Sequence, residues 1–398
     1  MKIAHVIPYL GRPMGGPVEA LAGYTAALAE RGCSVSVAAA PRHADGPALA
    51  MDPRVKVAAF PRPRGGRFRW CPALGRHLAR APADIIHSHG LWTYASYAAG
   101  RAARVRGVPH VLAPCGMLQK GALERSALKK RLCRLMFQDR VLREAACLHA
   151  KSESEYIGFR EFGLCGPAAI IPNPVRRPAD LAGIEPAAFR AKHKLDGHRV
   201  VLYVGRIHPV KGMRRLVEAW GAVAGSHADW RLVIAGPDEC GMRKEMEEVE
   251  RGTGSAEGGT RKGEGRTSVL FVGPLQDTEK WEAYRAADLF VMPSDFENFG
   301  SAIAEAMTAG LPVVATKGTP WRSLAESGAG WWVEAEAEAL ARALSEGLSL
   351  SEAERRQMGT RAAGLAAAFA PDVVAAELIG VYGWLLGGGV PPGCVRLG

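Results

Sequence analysis

At 398 residues and 42.4 kDa the chain is too long for one ordinary hydrophobic core and suits two domains of roughly 150 to 200 residues each. Hydrophobic residues make up 48% and charged residues 23%, with a mean hydropathy of -0.03, which excludes a largely disordered chain. The net charge of +11 is uneven, with 27 lysines and arginines against 12 acids through residue 180 and 24 against 28 after it. The first half should therefore attract anions, unless its arginines are only scattered, solvated surface residues.

Taken in chain order, MKIAHVIPYLGRPMGG has a short apolar stretch before Gly/Pro punctuation and reads as a first β-strand, not a signal peptide. Strands are then predicted at SVSVAAA, KVAAF, ADIIHSH, HVLAP, CLHAK and AAIIP, separated by helical patterns such as PVEALAGYTAALAERG and a long basic one over 121–146. Continuous apolar runs of this kind suit parallel strands covered by helices on both faces. A Pro-rich, weakly patterned stretch at 179–198 reads as a linker, which makes residues 1–178 one domain and 199–370 another. The second domain repeats the pattern with VVLYVG, RLVIAGP, VLFVG, DLFVMPS, PVVAT and GWWVE. The fold class expected is α/β, two doubly wound Rossmann-like domains, with the terminal helical segment 371–398 crossing back onto the first. The Gly-rich segment 252–267 reads as a mobile insertion. No run approaches the roughly 20 apolar residues of a membrane span. The eight cysteines are scattered without Cys-x-x-Cys spacing, which suggests neither a zinc site nor a disulfide framework and fits a reducing cytoplasm.

The densest cluster of chemistry lies in PSDFENFGSAIAEAMTAG. A strand ends at Pro293, a loop carries Glu297, Asn298, Phe299 and Gly300, and a helix begins near Ser301. Free amides at that helix start suit a phosphate, and Glu297 with Glu305 could accept sugar hydroxyls on either side. The plainer reading makes Glu297 a helix-start acid and Glu305 a solvated helix residue. A second strand-to-helix loop, Gly205-Arg206-Ile207-His208-Pro209-Val210-Lys211, offers a guanidinium fork and an ammonium that could neutralise a diphosphate in place of a metal. No Asp-x-Asp pair is present to hold a divalent ion there. Gly15 and Gly16 open a third such loop, which alone is a weak signal because tight turns also use Gly-Gly.

Arg206-x4-Lys211, Glu297-x7-Glu305 and Gly15-Gly16, together with HSHGLW, IPNPV and GTPW, resemble the retaining, metal-independent glycosyltransferases of GT-B fold in family four, of the bacterial capsule, O-antigen and exopolysaccharide type. The resemblance runs along nearly the whole chain. It implies two domains facing each other across a cleft, the first binding acceptor and the second a nucleoside-diphosphate sugar. Arg206 and Lys211 would stabilise the leaving diphosphate, Glu297 would hold sugar hydroxyls at the reacting face, and Glu305 the ribose diol. Asn298, Phe299, Gly300 and Ser301 would surround the phosphate or sugar, with Gly205 and Leu275 near the nucleotide and Gly15 and Gly16 closing from the first domain. The implied partners are a UDP- or GDP-sugar and a saccharide or lipid-linked acceptor, with no cofactor, no metal and no nucleic acid.

Relatives often carry a histidine after the strand HVLAP where this chain has Cys115, so that histidine's role does not transfer, and Cys115 reads as a small buried filler. His89, and less so His87, could instead face the cleft on the acceptor side; a structural histidine bonded to a loop carbonyl is the favoured reading for His87 and an equal one for His89. The basic residues Lys129, Lys130, Arg131, Arg134, Arg140 and Arg143 beside Leu128, Leu132, Leu135 and Met136 suit peripheral contact with an anionic membrane at its cytoplasmic face, or a helix with a solvated basic side. The competing functions are a GT-B-like epimerase or phosphorylase, a non-catalytic basic binding protein, and a catalytically inactive relative.

Overall fold

The computed structural model describes residues 1–11, 15–61, 63–64, 66–253 and 268–398. It divides into two compact units: Met1–Arg176 with Phe369–Gly398, and Arg177–Ala368. Strands are numbered β1 to β14 in chain order.

The first unit is built on β1 (Lys2–Ile7), β2 (Ser34–Ala39), β3 (Lys56–Ala59), β4 (Ile85–His89), β5 (His110–Ala113), β6 (Cys147–Ala150), β7 (Ala168–Ile170) and β14 (Val395–Arg396). Their order is β14-β7-β6-β5-β4-β1-β2-β3, parallel except for β14, which runs antiparallel to β7. The central strands β4, β5 and β6 are buried along their whole length, as strands sandwiched between helix layers must be. One layer holds the helix Gly16–Glu30 and the terminal helix Pro371–Gly387, which buries Val374, Ala375, Leu378, Val381 and Tyr382 at helical spacing.

The second unit carries β8 (Arg199–Val204), β9 (Trp230–Ala235), β10 (Val269–Gly273), β11 (Leu289–Met292), β12 (Val313–Thr316) and β13 (Gly330–Val333). They form an all-parallel sheet of order β10-β9-β8-β11-β12-β13.

Four features differ from the sequence reading or fall beyond it. The stretch 179–198 is no bare linker: it carries the helix Ala187–Lys192, buries Phe189, and uses Arg190 to cap the carbonyls of Ala286, Leu195 and His198, so it belongs to the second unit. The helix predicted over 121–146 is broken, because Arg125 is extended and Ser126 is left-handed at φ 56; separate helices cover Lys120–Glu124, Ala127–Cys133 and Asp139–Arg143, with a π-helical turn between the last two. Among the described residues one helical run, Glu352–Gly387, is long and apolar enough by length and composition to cross a membrane. Ala370 within it is extended at φ -60 and ψ 137, and the residues beyond it pack inside the first unit. Of the segment 252–267, read as a mobile insertion, residues 254–267 lie outside the described residues, and its start completes the helix Arg243–Thr253.

Candidate functional site

In the second sheet the strand order reverses between β8 and β11, so the loops leaving these two strands diverge at the carboxyl edge, the position where doubly wound sheets bind ligands. The sequence elements singled out above leave from this edge: Gly205 to Lys211 after β8, Leu275 after β10, and Glu297 to Ser301 after β11.

The β8 and β11 loops touch backbone to backbone. Gly212 is left-handed at φ 65, and a β-carbon there would stand 2.1 Å from the Pro293 carbonyl oxygen, so only glycine fits. The Asp295 amide donates to the Val210 carbonyl at 2.9 Å, and Arg215 donates to the Pro293 carbonyl at 2.9 Å and to Asp295 at 2.5 Å. Across this seam Lys211 Nζ pairs with Glu297 Oε1, and the Ser294 hydroxyl donates to the same oxygen at 2.9 Å. Both charged side chains are largely shielded, at 14% and 13% exposure, so their field is screened less than that of a surface pair.

Gly300, at φ 83 and ψ 60, turns the chain into the helix Ser301–Thr308. The Trp321 indole N–H fixes the approach by donating to the Phe299 carbonyl at 2.5 Å. Asn298 is half-buried in the loop beside them. Glu305 lies further along the helix and faces a neighbouring one, Asp277–Ala286: Lys280 Nζ is 2.7 Å from its Oε1 and the Tyr284 hydroxyl donates to Oε2 at 2.9 Å. Burial, reinforced by the Glu305 charge, raises the Tyr284 phenol well above its ordinary range and keeps it a donor.

The structure thus joins Lys211 to Glu297 but gives Glu305 and Arg206 partners of their own. Arg206 is half-exposed and pairs with Glu239, from the loop after β9, at 2.7 Å. Its backbone is held by the Tyr203 hydroxyl, which donates to the Arg206 carbonyl at 2.8 Å. The Gly205 amide closes β8 by donating to the Ala235 carbonyl at 2.9 Å, and Leu275 is half-buried just past β10. Two cations and a glycine-led helix start at one sheet edge have the chemistry to take a phosphate or diphosphate. Sequence reading missed Glu239, Ser294, Lys280 and Tyr284. Glu239, Lys280 and Tyr284 meet their partners only through loops or helices packed side by side, which no local motif marks, whereas Ser294 bonds Glu297 three residues along the same loop.

In the first unit Gly15, at φ 75, caps the helix Gly16–Glu30, and Pro17 stands in its first turn. His89 ends β4 at 4% exposure. It belongs to a buried ladder that the sequence reading only half saw. His5 is in register with His87 on the adjacent strand, His89 lies two residues on, and His149 stands on β6. Burial holds all four imidazoles neutral, lowering His5 to about 3 and the other three well below the ordinary value. Lys151, at the end of β6, is 4% exposed; its Nζ lies 3.0 Å from the Tyr24 hydroxyl and from both ring nitrogens of His149, and burial lowers it to about 8. Cys115 is left-handed at φ 56, and burial pushes its thiol up to about 11, away from the thiolate. Ligand atoms of His5, His87 and His89 lie within 4.8 Å of one another, close enough to suggest a metal. Both nitrogens of His87 are already committed, one to Tyr382 at 2.7 Å and one to His149 at 3.2 Å.

Two doubly wound α/β units in one chain, the second with cationic loops at its switch point, have the architecture of the GT-B class. Residues 15–174 match the glycosyl transferase 4-like domain and residues 186–364 the glycosyl transferases group 1 family. The chain is 30% identical over 321 residues to the D-inositol 3-phosphate glycosyltransferase of Actinosynnema mirum, covering 75% of this chain and 72% of that one. It is 30% identical over 248 residues to D-inositol 3-phosphate glycosyltransferase 2 of Catenulispora acidiphila, covering 59% of this chain and 55% of that one, so it spans little more than half of that relative's length. Among solved structures, Anabaena HepE in complex with UDP and glucose superposes with a TM-score of 0.69 at 20% identity, over 95% of this chain and 98% of that one. The chain belongs to the family-four glycosyltransferases of GT-B fold.

Proposed function

We propose that the protein is a retaining, metal-independent glycosyltransferase that moves a hexose from a UDP- or GDP-sugar to a saccharide or lipid-linked acceptor in cell-surface polysaccharide synthesis. The observation that carries this reading is the shielded Lys211–Glu297 pair at the β8/β11 switch point, beside the helix start at Gly300. A diphosphate arriving at this edge would compete with Glu297 for the Lys211 ammonium and with Glu239 for the Arg206 guanidinium, recruiting both cations onto the leaving group. Charge that develops on the departing phosphate would then meet fixed positive groups and helix amides, the kind of preorganised electrostatics that supplies the largest part of many rate enhancements. Glu297, released from Lys211, would be free to accept hydroxyls of the transferred sugar, and Glu305, held by Lys280 and Tyr284, those of the ribose. Gly15 and Gly16 would add amides from the first unit, and His89 would serve the acceptor.

The relatives' names favour one further acceptor, an inositol phosphate, and the basic first half of the chain is compatible with it. Membrane contact is supported by Leu128, Leu132, Leu135 and Met136, which are 83%, 58%, 80% and 69% exposed beside Lys129 and Arg131. That contact would place the enzyme at the cytoplasmic face.

Thermal-shift titration with UDP-, GDP- and ADP-sugars, with and without a chelator, tests the donor and the metal independence. Transfer to saccharide, lipid-linked and inositol phosphate acceptors, with the product anomer read by NMR, tests the rest. Product formed from donor alone, or only with free phosphate, would instead mark an epimerase or phosphorylase. DNA binding without any nucleotide-sugar binding would mark a binding protein.

A further inference from the structure

We propose that His5 sets the tautomer of His89, so that His89 presents a neutral Nδ1–H donor, and not a basic lone pair, at the carboxyl edge of the first sheet. The consequence for catalysis rests on the reading of the first unit as the acceptor-binding one; the tautomer itself does not.

The proton positions follow from what each partner can accept. The Ile171 carbonyl can only accept, so the His149 nitrogen 2.8 Å from it, Nε2, carries that ring's proton. His149 Nδ1 is then an acceptor, and His87 Nε2 must donate to it across 3.2 Å. His87 Nδ1 is left to accept from the Tyr382 hydroxyl at 2.7 Å. This chain runs in one direction and uses every nitrogen of His87 and His149.

His5 and His89 form a separate pair, with His5 Nδ1 and His89 Nε2 3.0 Å apart. Two neutral imidazoles share one proton at this contact, and the choice falls on His5. Its Nε2 is fully buried with no hydrogen-bond partner among the described residues. Were His89 to donate, the proton of His5 would sit on that nitrogen as an N–H with nothing to bond, an arrangement folded proteins rarely tolerate. With the proton on Nδ1, His5 donates to His89 and keeps only a bare lone pair in the interior. The Lys151 ammonium keeps both rings neutral, since its positive field reaches each and opposes a second proton on either.

His89 Nε2 is therefore an acceptor, and the single proton of His89 lies on Nδ1, which bonds to no described residue. His89 ends its strand and retains 4% exposure there, so the free donor belongs to the loop edge of the sheet. A neutral N–H at that place can hold a hydroxyl or anionic oxygen of an acceptor but cannot remove its proton. His5 is a positioning residue: it acts through His89.

The test is long-range 1H–15N correlation NMR of the full chain with 15N-labelled histidine, resonances assigned by His5→Asp, His5→Asn and His89→Gln. The expected result is a Nδ1–H tautomer at His89 in the wild type, kept in His5→Asn, whose amide can still donate, and reversed to Nε2–H in His5→Asp, whose carboxylate can only accept. In transfer assays His5→Asp should raise acceptor KM by about 3- to 10-fold, the worth of one hydrogen bond, with donor KM unchanged and His5→Asn within about twofold of wild type. A Nε2–H tautomer at His89 in the wild type overturns the proposal whether or not the variants fold. So does a Nδ1–H tautomer unchanged in folded His5→Asp, or stoichiometric Co2+ binding with a tetrahedral visible spectrum that His5→Asn abolishes, which would make the cluster a metal site. A wild type that transfers no sugar to any acceptor would overturn the proposed function, while the NMR result would still decide this question.

Discussion

Lys211 is the residue on which the proposed chemistry leans most, because it is the shielded cation at the switch point and its partner is an acid that a diphosphate can displace. Truncation to alanine removes the ammonium but leaves Gly212, the contact that shapes the loop, in place. Lys211→Ala should therefore fold normally and lower kcat by about 100- to 1000-fold, or roughly 3 to 4 kcal/mol of transition-state stabilisation. Steady-state kinetics and a melting curve check both parts; full activity would remove Lys211 from the mechanism. Arg206, half-exposed and shared with Glu239, should matter less to the unliganded fold. Lys211, Glu297 and the Gly300 turn were legible in sequence because they stand at fixed offsets from a strand end, where the chain must pass from sheet to helix. Lys280 and Glu239 were not, since a helix neighbour and an adjacent loop are set by packing, and nothing in the spacing of 25 residues between Lys280 and Glu305 implies contact. The histidine ladder was half legible: His87 and His89 read as one strand face, but His5 and His149 joined them only once β1, β4 and β6 were placed in one sheet.

At the level of elements, the strands were the readable part, because parallel strands buried on both faces leave uninterrupted apolar runs. The helix pattern over 121–146 misled, since its periodicity carries through Ser126 although the backbone there turns left-handed. The terminal helix owes its place to a face centred on Leu378, which is 1% exposed. Leu378→Ala should destabilise the first unit by about 2 to 5 kcal/mol, seen as a lower urea midpoint at unchanged slope. The segment around Leu132 presents the opposite case, an apolar face that packs on nothing described. Replacing Leu128, Leu132, Leu135 and Met136 together by serine should leave stability within about 2 kcal/mol, as expected for four exposed helical positions. Sedimentation with anionic vesicles should then fall sharply, while transfer to a soluble acceptor stays unchanged. Vesicle binding equal to wild type would remove this segment from any membrane role.

Across the whole molecule, the two units differ in what acid does to them. The first unit buries five neutral histidines, with His5 lowered to about 3, His110 to about 4, and His87, His89 and His149 well below their ordinary value, all chiefly by loss of hydration. In the second unit His193 is lowered, by partial burial and by Lys192, against the opposing charge of Glu279. Each depressed histidine binds its proton more readily in the unfolded chain. Below about pH 6.5 the unfolded state therefore takes up protons that the folded state refuses, and stability falls as pH falls, by up to about 1.4 kcal/mol per pH unit for each such histidine until its folded pKa is reached. Lys151 adds nothing in this window, because it is already protonated in both states below about pH 8. Between pH 6.5 and about 4.5, above the ordinary carboxylate range, the loss should fall mainly on the first unit. Hydrogen exchange followed by mass spectrometry should show residues 1–176 and 369–398 losing protection first while 177–368 remain folded. Asparagine at His110, which can keep a polar contact to Ser88 without a titrating ring, should shift that loss to lower pH. Simultaneous loss in both units, or a first unit as stable at pH 5 as at pH 7, would mean that the ladder is already protonated or open to water in the native state.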